Sequence, residues 1–400
     1  MPDNPATHTS GTGCLTYGSE SRTTVPFSRP LRQLYTGRQI VYLWPVVAYR
    51  SIDNLRDLLA GGSPAWIPFS LDVGASPGLS EPIARQFRQQ TGATCHADYF
   101  QTDFRRFSLR TRFSGDDPAA LHPRLPPGTT FDEWGIGHWA GGLEGTLDRM
   151  YPPLAAARSP AEVEALPAPR IESDADASAV AAFHAAGYPV LGYAGSVYEW
   201  SWWLRGMERF LMDMAGDPPL AEAVIRKVEG HTTRLALATA RLGVDVLCMY
   251  DDVGTQRGMQ ISPSCWRRYV KPAWQRVIAA VRREFPGVWF FLHSCGKIDS
   301  ILPDVIELGF DILHPLQPEC MDFAAVYRQF GRQIALCATI SAQRILPFGT
   351  PADVRREVRR LAAAAGGDRR CILMPSNVIQ PETPWENLVA LAEEARALRA

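Results

Sequence analysis

Short apolar runs alternate with longer amphipathic stretches from about residue 188 to the end of the chain. The six runs are PVLGYAG (189–195), VDVLCMYDD (244–252), VWFFLHSCG (288–296), FDILHPLQ (310–317), IALCATIS (334–341) and CILMPSN (371–377). Each run is apolar at nearly every position and ends in polar or small residues, which is typical of a parallel strand covered on both faces. The alternation therefore predicts a parallel sheet built from βαβ units.

The stretches between the runs carry helix signals. Residues 262–285 and 300–309 are amphipathic, and Gly309 is placed to cap the second of them. Residues 350–367 and 383–400 each begin with Thr-Pro, the pattern of an N-cap followed by proline at the first helical position. Each strand is thus followed by a helix, as βαβ units require.

Five or six βα units in the second half, with two or three more from the first half, predict a (β/α)8 TIM barrel. We therefore expect an α/β fold with one barrel domain over 26–400. Residues 1–25 are rich in Thr, Ser, Gly and Pro, and they predict a flexible N-terminal arm. The active site of such a barrel lies at the C-terminal ends of its strands, which we call the mouth.

Composition limits the classes of function. The 400 residues include 41 basic and 42 acidic side chains, and this net charge of -1 argues against a nucleic-acid-binding protein. No apolar run approaches the roughly 18 residues of a membrane span, so we expect none. The N-terminus lacks a basic segment followed by an apolar one, so we expect no signal peptide and a cytoplasmic protein.

The motif HSCG closes the third run. Side chains at i and i+2 of a strand point to the same side, so His293 and Cys295 face one way where the strand ends. An imidazole and a thiolate are zinc ligands, but zinc takes three or four of them. Candidates for the remaining ligands at other strand ends are Cys337, Gln317, Asp251 and Asp252. The alternative is a buried histidine bonded to a carbonyl beside a packed cysteine.

Other side chains are candidates for binding a substrate or for acid–base chemistry. Of the adjacent carboxylates Asp251 and Asp252, only one can face the mouth, where it could bind a cation or act as a general base. Asp103 precedes two arginines, and this grouping suits an anionic substrate or a surface ion pair. An aromatic cluster ending at Trp203 either lines a pocket or packs in the core. The substrate-binding candidates are Arg105, Arg106, Tyr198, Trp203, Gln317 and Lys297.

Five sequence blocks taken together resemble the uroporphyrinogen decarboxylase superfamily. They are DDVGTQ (251–256), ISPSCWRRYVKP (261–272), HSCGKIDSILPDVIELGFDILHPLQPE (293–319), SAQRILPFGTPADV (341–354) and VIQPETPWENL (378–388). The resemblance covers roughly 190–400 well and 30–150 weakly, with the blocks in order. It implies a (β/α)8 barrel enzyme, since the superfamily contains uroporphyrinogen decarboxylases and zinc-dependent corrinoid:thiol methyltransferases.

The methyltransferases of this superfamily hold zinc through a His-x-Cys pair and a distant cysteine. His293 and Cys295 match the pair, Asn377 stands at the position of the distant cysteine, and Cys337 is the candidate replacement. This branch implies a zinc-dependent methyl (alkyl) transferase that activates a thiol or a methylated small molecule. It also implies a corrinoid, carried by a partner protein, as the methyl carrier. Members are often homodimers, which is a further expectation.

The decarboxylases of the superfamily imply an alternative without a cofactor, the decarboxylation of a small or tetrapyrrole carboxylic acid. Asp103 corresponds to the pocket aspartate of that branch, and Trp203 to its tyrosine. Asp252 stands at the position of its serine and Asn377 at that of its late histidine. The catalytic candidates are therefore Asp252, Asp103 and Asn377. A third alternative is a non-catalytic barrel that binds a ligand or a carrier.

Overall fold

The structure, a computed structural model of the chain, describes residues 50–140, 149–172 and 177–399, so the arm predicted over 1–25 lies outside it. The strands are β1 (Arg105–Phe107), β2 (Thr111–Arg112), β3 (Thr130–Phe131), β4 (Gly137–Trp139), β5 (Arg149–Tyr151), β6 (Arg170–Ile171), β7 (Val190–Gly195), β8 (Val246–Tyr250), β9 (Trp289–His293), β10 (Ile312–Leu316), β11 (Ala335–Ile340) and β12 (Cys371–Pro375). The short strands β2 to β6 form two small antiparallel sheets between β1 and β7.

Seven strands form one parallel sheet in the order β1-β7-β8-β9-β10-β11-β12. The segment around Phe69 joins the two edges of this sheet. Phe69 forms a parallel bridge with Leu373 in β12, and its carbonyl accepts from the backbone N–H of Asp103, just before β1, at 2.9 Å. This segment occupies the eighth strand position, and the fold is the predicted (β/α)8 TIM barrel.

Helices surround the barrel. They are α1 (Ser51–Leu59), α2 (Glu81–Thr91), α3 (His96–Tyr99), α4 (Pro160–Ala165), α5 (Ser178–Ala185), α6 (Tyr198–Arg205), α7 (Met207–Gly216), α8 (Pro218–Arg241), α9 (Pro263–Tyr269), α10 (Lys271–Glu284), α11 (Leu302–Leu308), α12 (Phe323–Phe330), α13 (Ile345–Phe348), α14 (Pro351–Ala365) and α15 (Trp385–Ala397). Among the described residues, none of these helices combines the length and the apolar character needed to cross a membrane.

The six apolar runs predicted as strands are β7 to β12, in that order. Thr350 and Asp353 form a capping box at the start of α14, and Gly309 ends α11 with a φ of 87°. The stretch 262–285 is two helices, α9 and α10, rather than one. The break falls just before Pro272, whose nitrogen has no hydrogen for a continuous helix.

Alternate residues of the strands face the inside of the barrel. The buried cluster inside includes Cys248, Tyr250, Phe291, Ile312, Cys337 and Met374. Their neighbours along the strands, such as Leu247 and Phe290, belong to the core between the strands and the helices. Because the inward set has a period of two, the inward positions that follow Phe291 are His293 and Cys295, at the mouth. An apolar interior therefore lies beneath the polar residues of the mouth.

Candidate metal centre at the barrel mouth

Three side chains with metal-ligand atoms converge at the ends of β8 and β9. His293 is the last residue of β9, Cys295 follows it by two residues, and Asp252 lies two residues beyond β8. Their ligand atoms all lie within 4.8 Å of one another. Nε2 of His293 is 3.4 Å from Sγ of Cys295 and 3.6 Å from Oδ1 of Asp252. We call these three residues the ligand cluster.

Backbone contacts fix the turn that carries Cys295. The N–H of Cys295 donates to Oδ1 of Asp252 at 2.7 Å, and the N–H of Gly296 donates to Oε1 of Gln317 at 2.7 Å. Gly296 has a φ of 85°, and a Cβ added there would lie 2.5 Å from the carbonyl carbon of Gly254. Glycine is therefore required at 296 both for the left-handed conformation and for the close approach of two backbones.

Gly296→Ala is expected to destabilise the protein and to displace Cys295. The left-handed conformation alone costs about 1–3 kcal/mol for a residue with a Cβ, and the contact with the backbone of Gly254 adds to this. Gly92→Ala is the matched control, since Gly92 has a φ of 68° and nothing within 4 Å of an added Cβ. Urea denaturation should show the larger loss for Gly296→Ala, and equal losses in the two variants would contradict the close packing.

Burial determines the protonation of the ligand cluster. It lowers the pKa of His293 to about 4, so the ring is neutral at pH 7. Burial, with the negative charges of Asp252 and Glu199, raises the pKa of the Cys295 thiol well above its usual range. Burial likewise raises the pKa of Asp252 and, with help from Asp252, that of Glu199 in the first turn of α6. A cation among these groups would favour the thiolate and the carboxylates.

The ligand cluster opens into a cavity of about 240 Å³. The lining residues are Asp252, Gly254, Thr255, Gln256, Cys295, Gly296, Gln317, Gln343, Ser376 and Asn377, with no arginine or lysine among these described residues. Nδ2 of Asn377 donates to Sγ of Cys295 at 3.3 Å, and Nε2 of Gln256 donates to Oε1 of Gln343 at 3.0 Å. Amides and hydroxyls therefore dominate the surface that a bound molecule would meet.

Asp251, the neighbour of Asp252, is fully buried and anchors the start of α6. Its carboxylate accepts from the N–H groups of Val197 and Glu199, each at 2.9 Å, from Nε1 of Trp274 at 2.6 Å, and from the hydroxyl of Ser196. Burial raises the pKa of Asp251 to about 6, against the effect of these donors. Of the two adjacent carboxylates, Asp252 faces the cavity and Asp251 holds the helix that carries Glu199.

The predicted substrate-binding residues near the mouth differ in whether they line this cavity. Gln317 lines the cavity. Tyr198 is buried in α6, where its hydroxyl donates to Oε1 of Gln260 at 3.2 Å. Trp203 is half-buried, with its ring 5.9 Å from that of Trp202. Lys297 is 41% exposed and lies 3.7 Å from Asp299. The described lining of this cavity includes Gln317 and Asn377, but not Tyr198, Trp203 or Lys297.

Cys337 lies outside the ligand cluster. It is fully buried inside the barrel, and its Sγ contacts Sδ of Met374 at 3.9 Å. Cys337 is the third residue of β11, so it points inward below the strand end rather than at it. The structure does not bring Cys337 to the ligand cluster, so the prediction of Cys337 as the third ligand is corrected, and the third candidate ligand atom belongs to Asp252.

Asp103 and Arg105 lie at the opposite end of the barrel, before and at the start of β1. The carboxylate of Asp103 accepts from Ser51, Trp66, the N–H of Phe69 and Arg399. Arg105 donates to the carbonyls of Thr102 and Phe104 and to Asp98. The predicted anion site at Asp103 and Arg105 is therefore corrected. Asp103 precedes β1 and Arg105 is its first residue, whereas the mouth is formed at the C-terminal ends of the strands.

Arg106 belongs to a second polar cluster, which the sequence analysis missed. Its Nε lies 3.6 Å from the carboxylate of Asp72, and Nε2 of His96 lies 3.1 Å from Oδ1 of the same residue. Burial alone would raise the pKa of Asp72, but His96 and Arg106 lower it to about 2. The available signal was the position of Asp72 directly after a segment rich in apolar residues, IPFSL.

Two further residues beside the ligand cluster were also missed. Glu199 carries a raised pKa next to Asp252. His314 in β10 is fully buried, and its Nδ1 lies 2.9 Å from Nδ1 of His293. The signal for His314 was its inward register two residues after Ile312. Glu199 had no comparable signal, because the buried Asp251 that fixes its helix is distant in sequence.

The chain is similar in sequence to two kinds of enzyme. Uroporphyrinogen decarboxylase from Thermus thermophilus is 29% identical over 220 residues, which cover 52% of this chain and 60% of the relative. Methylcobamide:CoM methyltransferase MtaA from Methanosarcina barkeri is 31% identical over 156 residues, 39% of this chain and 42% of the relative. The matches thus span less than two thirds of the length of either relative.

A solved structure and a family profile extend these matches. A methyltransferase from Methanosarcina mazei superposes with a TM-score of 0.60 at 18% identity, covering 88% of this chain and 99% of the other, which shows a common fold. The profile described as Uroporphyrinogen decarboxylase (URO-D) matches residues 147–398, more than half of the chain. The chain therefore belongs to the uroporphyrinogen decarboxylase (URO-D) family.

Proposed function

We propose that this protein is a zinc-dependent methyl (alkyl) transferase that activates a thiol or a methylated small molecule. The observation that carries the proposal is the convergence of His293, Cys295 and Asp252 at the barrel mouth. The similarity to a methylcobamide:CoM methyltransferase supports the same reaction class.

The donor atoms of the ligand cluster fit zinc. Nitrogen, sulfur and oxygen ligands bind tetrahedral zinc at about 2.0–2.3 Å, so two ligands of one ion lie about 3.3–3.6 Å apart. The observed separations, from Nε2 of His293 to Sγ of Cys295 and to Oδ1 of Asp252, are 3.4 and 3.6 Å. Three protein ligands also leave one coordination position open, which is the pattern of catalytic rather than structural zinc sites.

Zinc held there would supply Lewis-acid activation of a bound thiol or methylated group. The chain's own residues prepare the site for this chemistry. The neutral ring of His293 offers a nitrogen, and the amide of Asn377 donates to the sulfur of Cys295, which stabilises negative charge on it. The N–H of Cys295 fixes one oxygen of Asp252. The cavity lined by amides and hydroxyls orients a small polar molecule beside the ligand cluster.

The partners of the reaction follow from the same proposal. A corrinoid, brought to the mouth by a carrier protein, is the proposed methyl carrier. Asp252 and Cys295 of the ligand cluster line the cavity at the strand ends, and this is the side from which the carrier would approach. A homodimer and a cytoplasmic location are proposed on the resemblance and the sequence alone.

Decarboxylation is the second candidate, and the similarity to the Thermus decarboxylase favours it. Its sequence rationale assigned an aspartate and arginines to the pocket, but Asp103 and Arg105 lie at the far end of the barrel. The described cavity lining also has no arginine or lysine to bind a carboxylate. A non-catalytic barrel is the third candidate, and it gives no reason for three converging zinc-ligand atoms.

A thiol methylation assay with free methylcobalamin as the donor tests the proposal. Zinc-loaded protein is expected to convert members of a thiol panel to methyl thioethers, and chelation is expected to stop the reaction until zinc is restored. Thiol methylation should fall in Cys295→Ser. Cys320→Ser, which changes a part-buried thiol outside the ligand cluster, is the matched control and should stay active. Release of CO₂ from carboxylic acids that persists under chelation would contradict the proposal and favour decarboxylation.

A further inference from the structure

Two histidines from neighbouring strands meet behind the ligand cluster. His293 ends β9 and His314 lies in β10, and the two are paired in the register of the sheet. Their Nδ1 atoms are 2.9 Å apart, with ring centroids 5.0 Å apart and ring planes within 26°. On its other side, Nε2 of His314 lies 3.0 Å from the carbonyl oxygen of Pro375, the last residue of β12. The two rings and the carbonyl form a chain of hydrogen bonds across three strands.

This chain has one consistent arrangement of hydrogens when both rings are neutral. A carbonyl only accepts, so Nε2 of His314 carries a hydrogen and donates it to Pro375. Nδ1 of His314 is then the bare nitrogen and accepts from Nδ1 of His293. Nε2 of His293 is left with a free lone pair, and it is the atom that lies 3.4 Å from Sγ of Cys295. The carbonyl of Pro375 therefore determines, through His314, which nitrogen of His293 faces the ligand cluster.

We propose that His314 is a positioning residue that holds His293 in the tautomer able to bind a metal ion. The inference rests on the proposed zinc site, in which Nε2 of His293 is a ligand. Histidines that bind metals usually donate their other ring hydrogen to a carboxylate, a carbonyl or water, which fixes the tautomer and the ring orientation. Here His314 accepts the other ring hydrogen of His293. Its own tautomer is set by its hydrogen bond to the carbonyl of Pro375 on β12.

Packing prevents either ring from turning out of this arrangement. His314 is fully buried and stacks on Phe291, with centroids 5.6 Å apart and planes within 23°. The ring of His293 lies 5.3 Å from that of Tyr250. Tyr250 is itself fixed, because its hydroxyl donates to the carbonyl of Val73 at 2.7 Å and accepts from the N–H of Ser76 at 2.9 Å. The ligand nitrogen is thus oriented before any metal arrives.

Nitrogen NMR of the metal-free wild-type protein tests the tautomers directly. Long-range ¹H–¹⁵N spectra of protein labelled at its 8 histidines distinguish protonated from bare ring nitrogens. The signals of each ring are assigned from the spectra of His293→Gln and His314→Gln. The expected result is a bare Nε2 and protonated Nδ1 in His293, with the reverse in His314. A protonated Nε2 in His293, or a doubly protonated His314, would overturn the proposal.

Zinc affinity in two variants of His314 provides the second test. In His314→Gln, the amide oxygen can accept from His293 and the amide nitrogen can donate to Pro375, so zinc affinity should be largely retained. His314→Phe keeps a ring but removes both hydrogen bonds, and its zinc affinity should fall about 10–100-fold. Zinc titration against a competing chelator measures both, with circular dichroism to confirm folding. Affinity in a folded His314→Phe equal to that of the wild type would contradict the proposal.

The two tests separate this inference from the proposed function. A wild-type protein that binds no zinc would contradict the proposed function, while the NMR spectra would still decide the tautomer of His293. If His314→Phe fails to fold, the wild-type spectra and the retained affinity of His314→Gln still test the inference. A His314→Gln variant that folds but loses zinc as completely as a ligand variant would count against a role limited to positioning.

Discussion

Replacing Cys295 by serine is expected to lower the zinc affinity by more than about 100-fold. Loss of a residue that only hydrogen-bonds to a metal ligand already lowers metal affinity by about 10–100-fold. Cys295 supplies the one sulfur of the ligand cluster. A serine hydroxyl occupies nearly the same place but stays protonated near neutral pH, so the variant keeps one nitrogen and one oxygen ligand. Zinc titration of the metal-free protein measures the loss, and thiol methylation should fall with it.

Cys337→Ala is the control for this prediction. Cys337 is fully buried inside the barrel and was the third ligand expected from the sequence. The variant should keep the zinc affinity of the wild type, although the cavity left in the core will lower its stability. Loss of zinc in Cys337→Ala with retention in Cys295→Ser would contradict the assignment of the ligand cluster.

Asp251→Asn is expected to produce the largest loss of stability among the substitutions considered, about 2–5 kcal/mol. Oδ1 of Asp251 accepts from the hydroxyl of Ser196 and the N–H of Glu199, and Oδ2 accepts from Val197 and Trp274. Both oxygens thus face hydrogen-bond donors. Whichever way the asparagine amide turns, its own NH₂ group meets buried donors and leaves them without an acceptor.

Asp252→Asn, one residue further, is the matched control for Asp251→Asn. The carboxylate of Asp252 is part-exposed and accepts from the N–H of Cys295 through Oδ1, an interaction that an amide oxygen can replace. We expect little change in the urea midpoint but weaker zinc binding, because an amide lacks the negative charge. Urea denaturation and zinc titration of both variants measure the contrast. An Asp251→Asn protein as stable as the wild type would contradict the anchoring role.

The pattern of apolar runs predicted most of the fold and the position of the two residues at the centre of the site. Six apolar runs with polar ends predicted β7 to β12, because strands covered on both faces must be apolar throughout. The rule that i and i+2 share a side then predicted that His293 and Cys295 face the same way. Both inferences depend only on local geometry, and local geometry is what a single sequence encodes most directly.

The rest of the site depends on how far each side chain lies from the C-terminal end of its strand. The sequence does not determine this distance well, because it locates the strand ends only approximately. Cys337 and Cys295 both belong to inward positions, but Cys337 lies within β11 and Cys295 beyond the end of β9. Asp103 and Arg105 form a suggestive group in sequence, yet they lie just before and at the start of β1 and therefore away from the mouth. The third candidate ligand atom comes from Asp252 because the turn after β8 packs against the turn that carries Cys295, a contact between segments 43 residues apart.

The hydrogen bonds behind the ligand cluster were beyond sequence reasoning for a similar reason. The relay from Pro375 through His314 to His293 joins three strands that are separated in sequence by long helical segments. A histidine in an apolar run of the sequence can be a packed core residue as easily as a residue that orients a neighbouring ring. The distances between ring nitrogens, together with the carbonyl that can only accept, are what distinguish the two interpretations.

X-ray absorption at the zinc edge of the purified, zinc-loaded protein tests the central claim most directly. With His293, Cys295 and Asp252 as ligands, we predict about one zinc per chain, bound by one sulfur at about 2.3 Å and by nitrogen and oxygen at about 2.0–2.2 Å. The sulfur contribution should disappear in Cys295→Ser. Two or more sulfur ligands in the wild type, or a protein that takes up no zinc, would contradict the assignment of a His–Cys–Asp metal centre.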